Sequence, residues 1–294
     1  PDTLSQLIRT AFIPSDGNKF VVADFSAIEA RVIAWLAGES WRQEVFATHG
    51  KIYEASASQM FHVPIERIKK GNPEYALRAK GKVAELALGY QGSVGALISM
   101  GALSMGLSED ELPEIVNAWR EANPRIKGLW YSMEQAALDT VRNFRPNVVK
   151  CLTFRYEFDP VSNLQFMTIT LPSGRKMFYP NPAILDNNFS KPAIHYMGQD
   201  GNSKKWGQLA TYGGKLTENV VQAIARDCLA ITLDRLDKAG YKTVMHIHDE
   251  AVIDCPSDRA DLDAACELMR QPIPWAPGLI LNADGFVGDY YKKE

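Results

Sequence analysis

Four cysteines in 294 residues, with no CxxC pair among them, exclude a zinc ribbon and a disulfide frame. Cys151, Cys228, Cys255 and Cys266 read as reduced core thiols of a cytosolic protein. No apolar run approaches the ~20 residues of a membrane span, and no signal pattern opens the chain. A cytoplasmic protein without a membrane partner is the expectation. An excess of positive charge is also missing: 32 Lys and Arg stand against 35 Asp and Glu, a net charge of −3. That argues against a nucleic acid gripped by a global positive field but leaves room for a local basic channel. There is no internal repeat and no low-complexity tract. The first residue is Pro1, not Met, so a processed or cut product with something upstream is expected.

What is present is the composition of a soluble globular protein, 46% hydrophobic and 23% charged. Its length suffices for one large domain or two smaller ones. The chain is organised around Lys19–Gly38, KFVVADFSAIEARVIAWLAG. Phe20–Val22 is a short apolar run of the kind that makes a buried strand. Asp24 stands at its end, and an amphipathic helix follows with Ile28, Val32, Trp35 and Leu36 on one stripe. A carboxylate at a strand tip beside the free amides of a helix start suits a hard cation and a phosphate. The bland alternative is a turn aspartate followed by a Ser26–Glu29 capping box.

Two further stretches add to this one. Pro73–Gly89 has helical composition, opened by Asn72-Pro73. Arg78, Lys82, Leu86 and Tyr90 follow at i+4 steps, which predicts one helix face. Two cations followed by an apolar and an aromatic residue suit a ligand with a polyphosphate end and a flat ring. The alternative is an exposed helix whose long side chains cover a neighbour. Thr243–Cys255, TVMHIHDEAVIDC, reads as a β-hairpin with His248-Asp249-Glu250 at its tip. Adjacent acids there repel unless a cation is bound, or they simply serve the turn.

Between these stretches the pattern predicts helices over Leu4–Thr10, 39–50, Tyr53–Phe61, Leu112–Ala122, from Asn123-Pro124 onward, Thr217–Ala239 and Asp258–Gln271. Strands are expected over Val148–Phe158, Gln165–Thr170, Lys176–Tyr179 and Leu279–Tyr291. Gly92–Gly106 should be loop with short helical turns, and Asp186–Lys205 a long surface loop.

The three segments together resemble DNA polymerase family A, the bacterial DNA polymerase I type. Asp24-Phe-Ser26-Ala-Ile28-Glu29-Ala-Arg31 resembles its D-x-S-x-I-E-x-R motif. Arg78-x3-Lys82-x7-Tyr90 resembles its second motif, and His248-Asp249-Glu250 its third. The likeness runs from about Gln6 to the C-terminus. Its flavour is that of the phage branch, carried by Gly89-Tyr90-Gln91-Gly92, Tyr212-Gly213-Gly214-Lys215 and the β insertion. The resemblance implies an α/β (α+β) right-hand fold. Palm would be residues 1–31 and 215–294, and largely helical fingers 32–214, with a β subdomain at about 148–206. Thumb and any exonuclease domain would lie upstream.

It further implies template-directed DNA synthesis with two Mg²⁺ ions, for which Mn²⁺ can substitute, held by Asp24, Asp249 and the Phe25 carbonyl. Lys82 and Arg78 would meet the phosphates, Glu29 would reject ribose, and Glu250 would be a supporting acid. Tyr90 would lie near the templating base. Gln222, His248 and Arg226 would contact DNA. The partners implied are primer–template and dNTPs, with the protein a monomer in bacterial or phage-infected cytoplasm and its processivity partners open. Three positions depart from the pattern. Ala27 replaces a common Gln, Tyr53 stands where cellular members have a phosphate-contacting His, and Leu86 where they carry Phe or Tyr. A single-subunit RNA polymerase of the phage type shares the plan, but Glu29 and Glu250 favour DNA. An inactive DNA-binding relic is opposed by the retention of Asp24, Lys82 and Asp249 together. A purely structural domain leaves the acids and the Arg–Lys face unexplained.

Overall fold

A computed structural model describes residues 8–292. The expected helix over Leu4–Thr10 lies outside the described residues up to Leu7; Ile8 and Arg9 are helical and close into a turn. In chain order the strands are β1 Asn18–Phe25, β2 Asn147–Val149, β3 Leu152–Asp159, β4 Leu164–Thr170, β5 Lys176–Pro180, β6 Ala183–Asp186, β7 Pro192–Gln199, β8 Trp206–Thr211, β9 Thr243–Ile247, β10 Glu250–Pro256 and β11 Ala283–Gly288. The α-helices are α1 Ile28–Ala37, α2 Ser40–Thr48, α3 Ile52–Phe61, α4 Leu77–Leu88, α5 Val94–Ser99, α6 Leu112–Ala122, α7 Pro124–Asn143, α8 Gly213–Lys238 and α9 Leu262–Arg270. The chain forms two compact units, Pro1–Val32 with Gln222–Glu294, and Ile33–Val221.

The first unit is built on an antiparallel sheet of order β11-β1-β10-β9. β1 is interior because Phe20–Ala23 is apolar on both faces, and all four residues are buried. Side chains alternate along a strand. Val21 therefore joins Ala251, Ile253 and Cys255 against Leu236 of α8 and Ala265 of α9. Phe20 and Val22 join Val252 and Tyr291 on the other face. The register pairs Val22 with Val252 and Phe286, and Asp24 with Glu250 and Asp284. Asp24 thus belongs to the face that α8 and α9 do not cover. Gly285 is required for this pairing: a Cβ there would lie 1.8 Å from the Val22 carbonyl oxygen. The last strand is shorter than its apolar pattern predicts, since Leu279 and Leu281 are buried ahead of β11 as irregular chain.

In the second unit the helical stripes lie where the 3.6-residue period puts them. Ile115 and Trp119 of α6 and Ile126, Leu129, Met133, Ala137 and Val141 of α7 are all buried. Two sheets follow α7, β2-β3-β4-β5 and β6-β7-β8. The second sheet corrects the expected loop over Asp186–Lys205. Its polar Asn and Gly residues occupy two hairpin turns, closed by Asn187 and Lys191 and by Asp200 and Lys205. The run PAIHYM between them pairs on both sides as β7. Of the cysteines, Cys228, Cys255 and Cys266 are buried, but Cys151 is exposed at the β2–β3 turn and is no core thiol.

Candidate active site

The acidic site belongs to the first unit. β9 and β10 form a hairpin closed by the two-residue turn His248-Asp249. His248 takes φ +55°, the left-handed conformation that such turns use. This turn brings Asp249 to Asp24 at the end of β1, and the two carboxyls share a hydrogen bond. Asp24 is pushed up to about 7 by partial burial first, then by the charges of Asp249 and Glu250; the Phe25 amide opposes the shift. Asp249 is raised too, by burial, with its hydrogen bonds and His248 acting the other way. Two carboxyls that close titrate as a pair. The Phe25 N–H also donates to the Asp249 carbonyl at 3.4 Å, tying the turn to the strand.

Around the pair lies a cavity of about 420 Å³, lined among others by Phe25, Glu29, His248 and Glu250. Gln222 of α8 donates from Nε2 to Glu29 at 3.0 Å. Arg226 stands one turn further along α8, exposed. Ser26 and Glu29 do not form a capping box around the start of α1. Ala27 between them has φ +52° and is not helical, so Ser26 is one residue too early to be the N-cap. Three residues that sequence reasoning missed also line the cavity: Asp284, Tyr291 and Arg9. Asp284 comes beside Asp24 only through the β11 register, and no spacing in the sequence reveals that. The Tyr291 hydroxyl is pushed up to about 12, by burial and then by its hydrogen bond to Glu250. Arg9 donates to it at 3.4 Å.

The cationic face belongs to the second unit. Arg78, Lys82 and Leu86 lie on one side of α4 at successive turns. Tyr90 does not continue that face: α4 ends at Leu88, and Tyr90 stands in the turn beyond Gly89. Among the described residues Lys82 has no hydrogen-bond or ion-pair partner, and it is half-buried. Arg78 is engaged: its Nε donates to Glu54 of α3 at 2.8 Å, and its guanidinium lies 5.4 Å over the Tyr53 ring. Leu86 is 47% exposed.

Among the described residues no cluster of three or more His, Cys, Asp and Glu side chains forms a metal cage. The donor set is a carboxylate pair. Such a set suits Mg²⁺, which is commonly held by one or two carboxylates and completed by water and substrate phosphates. It would not suit a structural zinc ion, which takes four protein ligands. Both carboxyls lie above the ordinary carboxylate range, Asp24 through burial and then the neighbouring acids and Asp249 through burial, and a divalent cation beside them would offset that cost.

The sequence pattern of DNA polymerase family A matches residues 2–146. Along its whole length the chain is 63% identical to the DNA polymerase of Bacillus phage SP02, covering 44% of that protein. It is 25% identical over 89% of its length to the thermostable DNA polymerase I of Thermus thermophilus, covering 26% of that enzyme. In structure, 97% of the chain superposes on 42% of the POL domain of Pol1 from M. smegmatis, solved with DNA primer-template and dNTP. The TM-score is 0.62 at 17% identity, a likeness of fold. The chain therefore spans less than half the length of the curated relatives it matches. Among the described residues no helix is long and apolar enough to cross a membrane.

Proposed function

The chain belongs to DNA polymerase family A, and on that premise we propose that it supplies the palm and fingers of a DNA-directed DNA polymerase that extends a primer from dNTPs. The observation that carries the reading is the Asp24–Asp249 carboxyl pair on the open face of the sheet. The unit holding that sheet is read as palm and the unit holding α4 as fingers. Each supplies one part of the chemistry.

Asp24 and Asp249 would hold two Mg²⁺ ions, with the Phe25 carbonyl as a further ligand; Mn²⁺ fits the same oxygen donors. When bound, the ions lower the pKa of the primer 3′-hydroxyl and balance charge on the triphosphate. Glu250 supports the site through Tyr291. Lys82, without a hydrogen-bond or ion-pair partner among the described residues, meets the triphosphate and donates a proton to the departing pyrophosphate. Arg78 adds positive charge one turn earlier, and Tyr53 supports its guanidinium. Glu29 crowds the sugar 2′ position. Tyr90 lies near the templating base, and Gln222, Arg226 and His248 contact the primer–template. The protein acts as a monomer in the cytoplasm.

Primer extension by the full-length protein with Mg²⁺ and four dNTPs tests the reading; no extension with a folded protein overturns it. Two substitutions probe the pocket. Glu29→Ala is expected to raise ribonucleotide incorporation relative to deoxyribonucleotide. Because Glu29 is not part of a capping box, stability should move by only about 0.5 kcal/mol, as for other surface changes. An unchanged sugar ratio removes Glu29 from the pocket. Leu86→Phe offers the base a flat ring, and base–aromatic stacking is worth about 1–3 kcal/mol. Leu86 is exposed enough that a ring need not overpack. At the lower end of that range KM should fall roughly fivefold with kcat nearly constant. A flat or rising KM for all four nucleotides means Leu86 does not meet the base.

A further inference from the structure

Arg78 is held in a particular way. Its Nε edge is taken by Glu54 at 2.8 Å, and its flat face lies 5.4 Å from the Tyr53 ring centre. Among the described residues its two terminal nitrogens have no hydrogen-bond partner. Tyr53 and Glu54 are consecutive on α3, so their side chains leave the helix about 100° apart. One can support the face of a guanidinium while the other takes its edge. The two helices meet closely at Gly81, where a Cβ would lie 2.2 Å from the Tyr53 carbonyl oxygen. Gly81 is one turn beyond Arg78, so this crossing fixes Arg78 over Tyr53.

Glu54 had other cations within its surroundings. It lines a cavity of about 400 Å³ with Lys51, Lys69 and Lys70, yet among the described residues it forms an ion pair only with Arg78. Its side chain is 16% exposed against 34% for Arg78, so the carboxylate is the more enclosed partner. A guanidinium clamped at one edge and one face has given up little of its binding capacity and most of its freedom. The terminal nitrogens remain as a planar pair of donors, the geometry that matches two oxygens of a phosphate.

We propose that Glu54 is a positioning residue that holds Arg78 side-on, so that its terminal nitrogens are presented to the triphosphate of the incoming nucleotide. This rests on the polymerase reading given above. Removing the clamp returns rotamer freedom to Arg78, and binding a triphosphate must then order it again. The interaction is made with bound nucleotide before and during the reaction, so its loss is felt in KM and not in kcat.

The test uses the full-length protein with Glu54→Gln, Arg78→Lys and the double variant. Gln keeps the size of Glu54 and removes its charge; melting temperatures confirm that each variant folds. Glu54→Gln is expected to raise KM for all four dNTPs roughly fivefold, with kcat changed less than about twofold. The inhibition constant of inorganic tripolyphosphate should rise by the same factor, because the contact is with phosphates and not the base. In the Arg78→Lys background, Glu54→Gln should add little, since an ammonium can still pair with Glu54 but has no planar pair of terminal nitrogens for that contact to aim. A merely structural role for Glu54 would persist in that background. An unchanged KM overturns the proposal. So does a lower KM, which would mean that Glu54 competes with phosphate for Arg78, and so does full additivity in the double variant. If the wild type extends no primer, the polymerase reading falls and this inference with it. If the wild type extends primers and only the Glu54→Gln effect is missing, the inference alone falls.

Discussion

Asp24→Asn and Asp249→Asn are each expected to lower nucleotide incorporation by the full-length protein roughly a thousandfold or more, the upper end of what losing one electrostatic contact at a reacting centre costs. Both residues stand on secondary structure that other contacts hold. β1 is buried between β10 and β11, and the hairpin turn is closed by its own ladder. The fold should therefore survive either change. Stability supplies a second and opposite sign. Asp24 in the folded protein holds its proton up to about 7, against 3.8 for an ordinary carboxyl. Between those values the folded state binds more protons than the unfolded one, so stability falls as pH rises through the interval. Above about pH 7 the penalty is complete. Asn at position 24 does not ionise. In chelator at pH 8 the Asp24→Asn protein should be the more stable by on the order of 1 kcal/mol, after discounting for the solvent that reaches this exposed side chain. On the proposed reading, in which the ion needs both carboxyls, added Mg²⁺ should then raise the melting temperature of the wild type more than that of the variant. Primer extension and melting curves with and without chelator check both signs. A folded Asn variant that extends primers at the wild-type rate, or a wild type whose melting ignores Mg²⁺, would remove these carboxyls from the metal site.

What could be read in the sequence is what local rules determine. β1 and the β9–β10 hairpin are apolar runs with acids at their ends, and period 2 fixes which residues share a face. The long stripes of α6 and α7 are equally plain. What escaped was set by register, by helix ends, or by partners remote in the chain. Tyr90 follows Lys82 at a helical interval, but α4 stops at Leu88 and takes it off the face. β7 was hidden because the Gly and Asn of its two flanking turns dominate the composition of Asp186–Lys205. Asp284 reaches the acidic cavity only through the pairing of β11 with β1. Glu54 lies 24 positions before Arg78 and on a different helix. In the sequence it is one more acid on a helix.

The same blindness covers the charged pair whose loss should cost this protein most. Arg42→Met is expected to destabilise the second unit by about 3–5 kcal/mol, the cost of breaking a buried ion pair by removing one partner. Arg42 of α2 and Glu85 of α4 are fork-to-fork partners, with side chains 2% and 4% exposed. Glu85 also accepts from Trp119 Nε1 at 2.9 Å, and Arg42 donates to Asn123 at 3.0 Å. Trp41 and Trp119 lie against the guanidinium at 5.3 and 6.0 Å. The pair thus ties α4 to α2, and through Trp119 to α6. It is not a strong net stabiliser, since both ions left water to form it and Arg42 Nε is buried without a partner among the described residues. Breaking it is a different matter, because Glu85 would remain enclosed without its counter-charge. At roughly 2–4 °C per kcal/mol for units of this size, the melting transition of the second unit should drop by on the order of 10 °C. Arg42→Met with Glu85→Leu should recover much of that loss, since no uncompensated charge is left. Recovery should stop short of complete, because Trp119 and Asn123 lose hydrogen-bond partners. The exposed pair Lys238–Asp234, 73% and 59% exposed, is the control. Lys238→Met should change stability by no more than about 0.5 kcal/mol. Melting curves of the four proteins decide between the two accounts. If Arg42→Met melts like Lys238→Met, burial of the pair is not what anchors α4. If the double variant is worse than Arg42→Met alone, the loss comes from packing around the indoles and not from the stranded carboxylate.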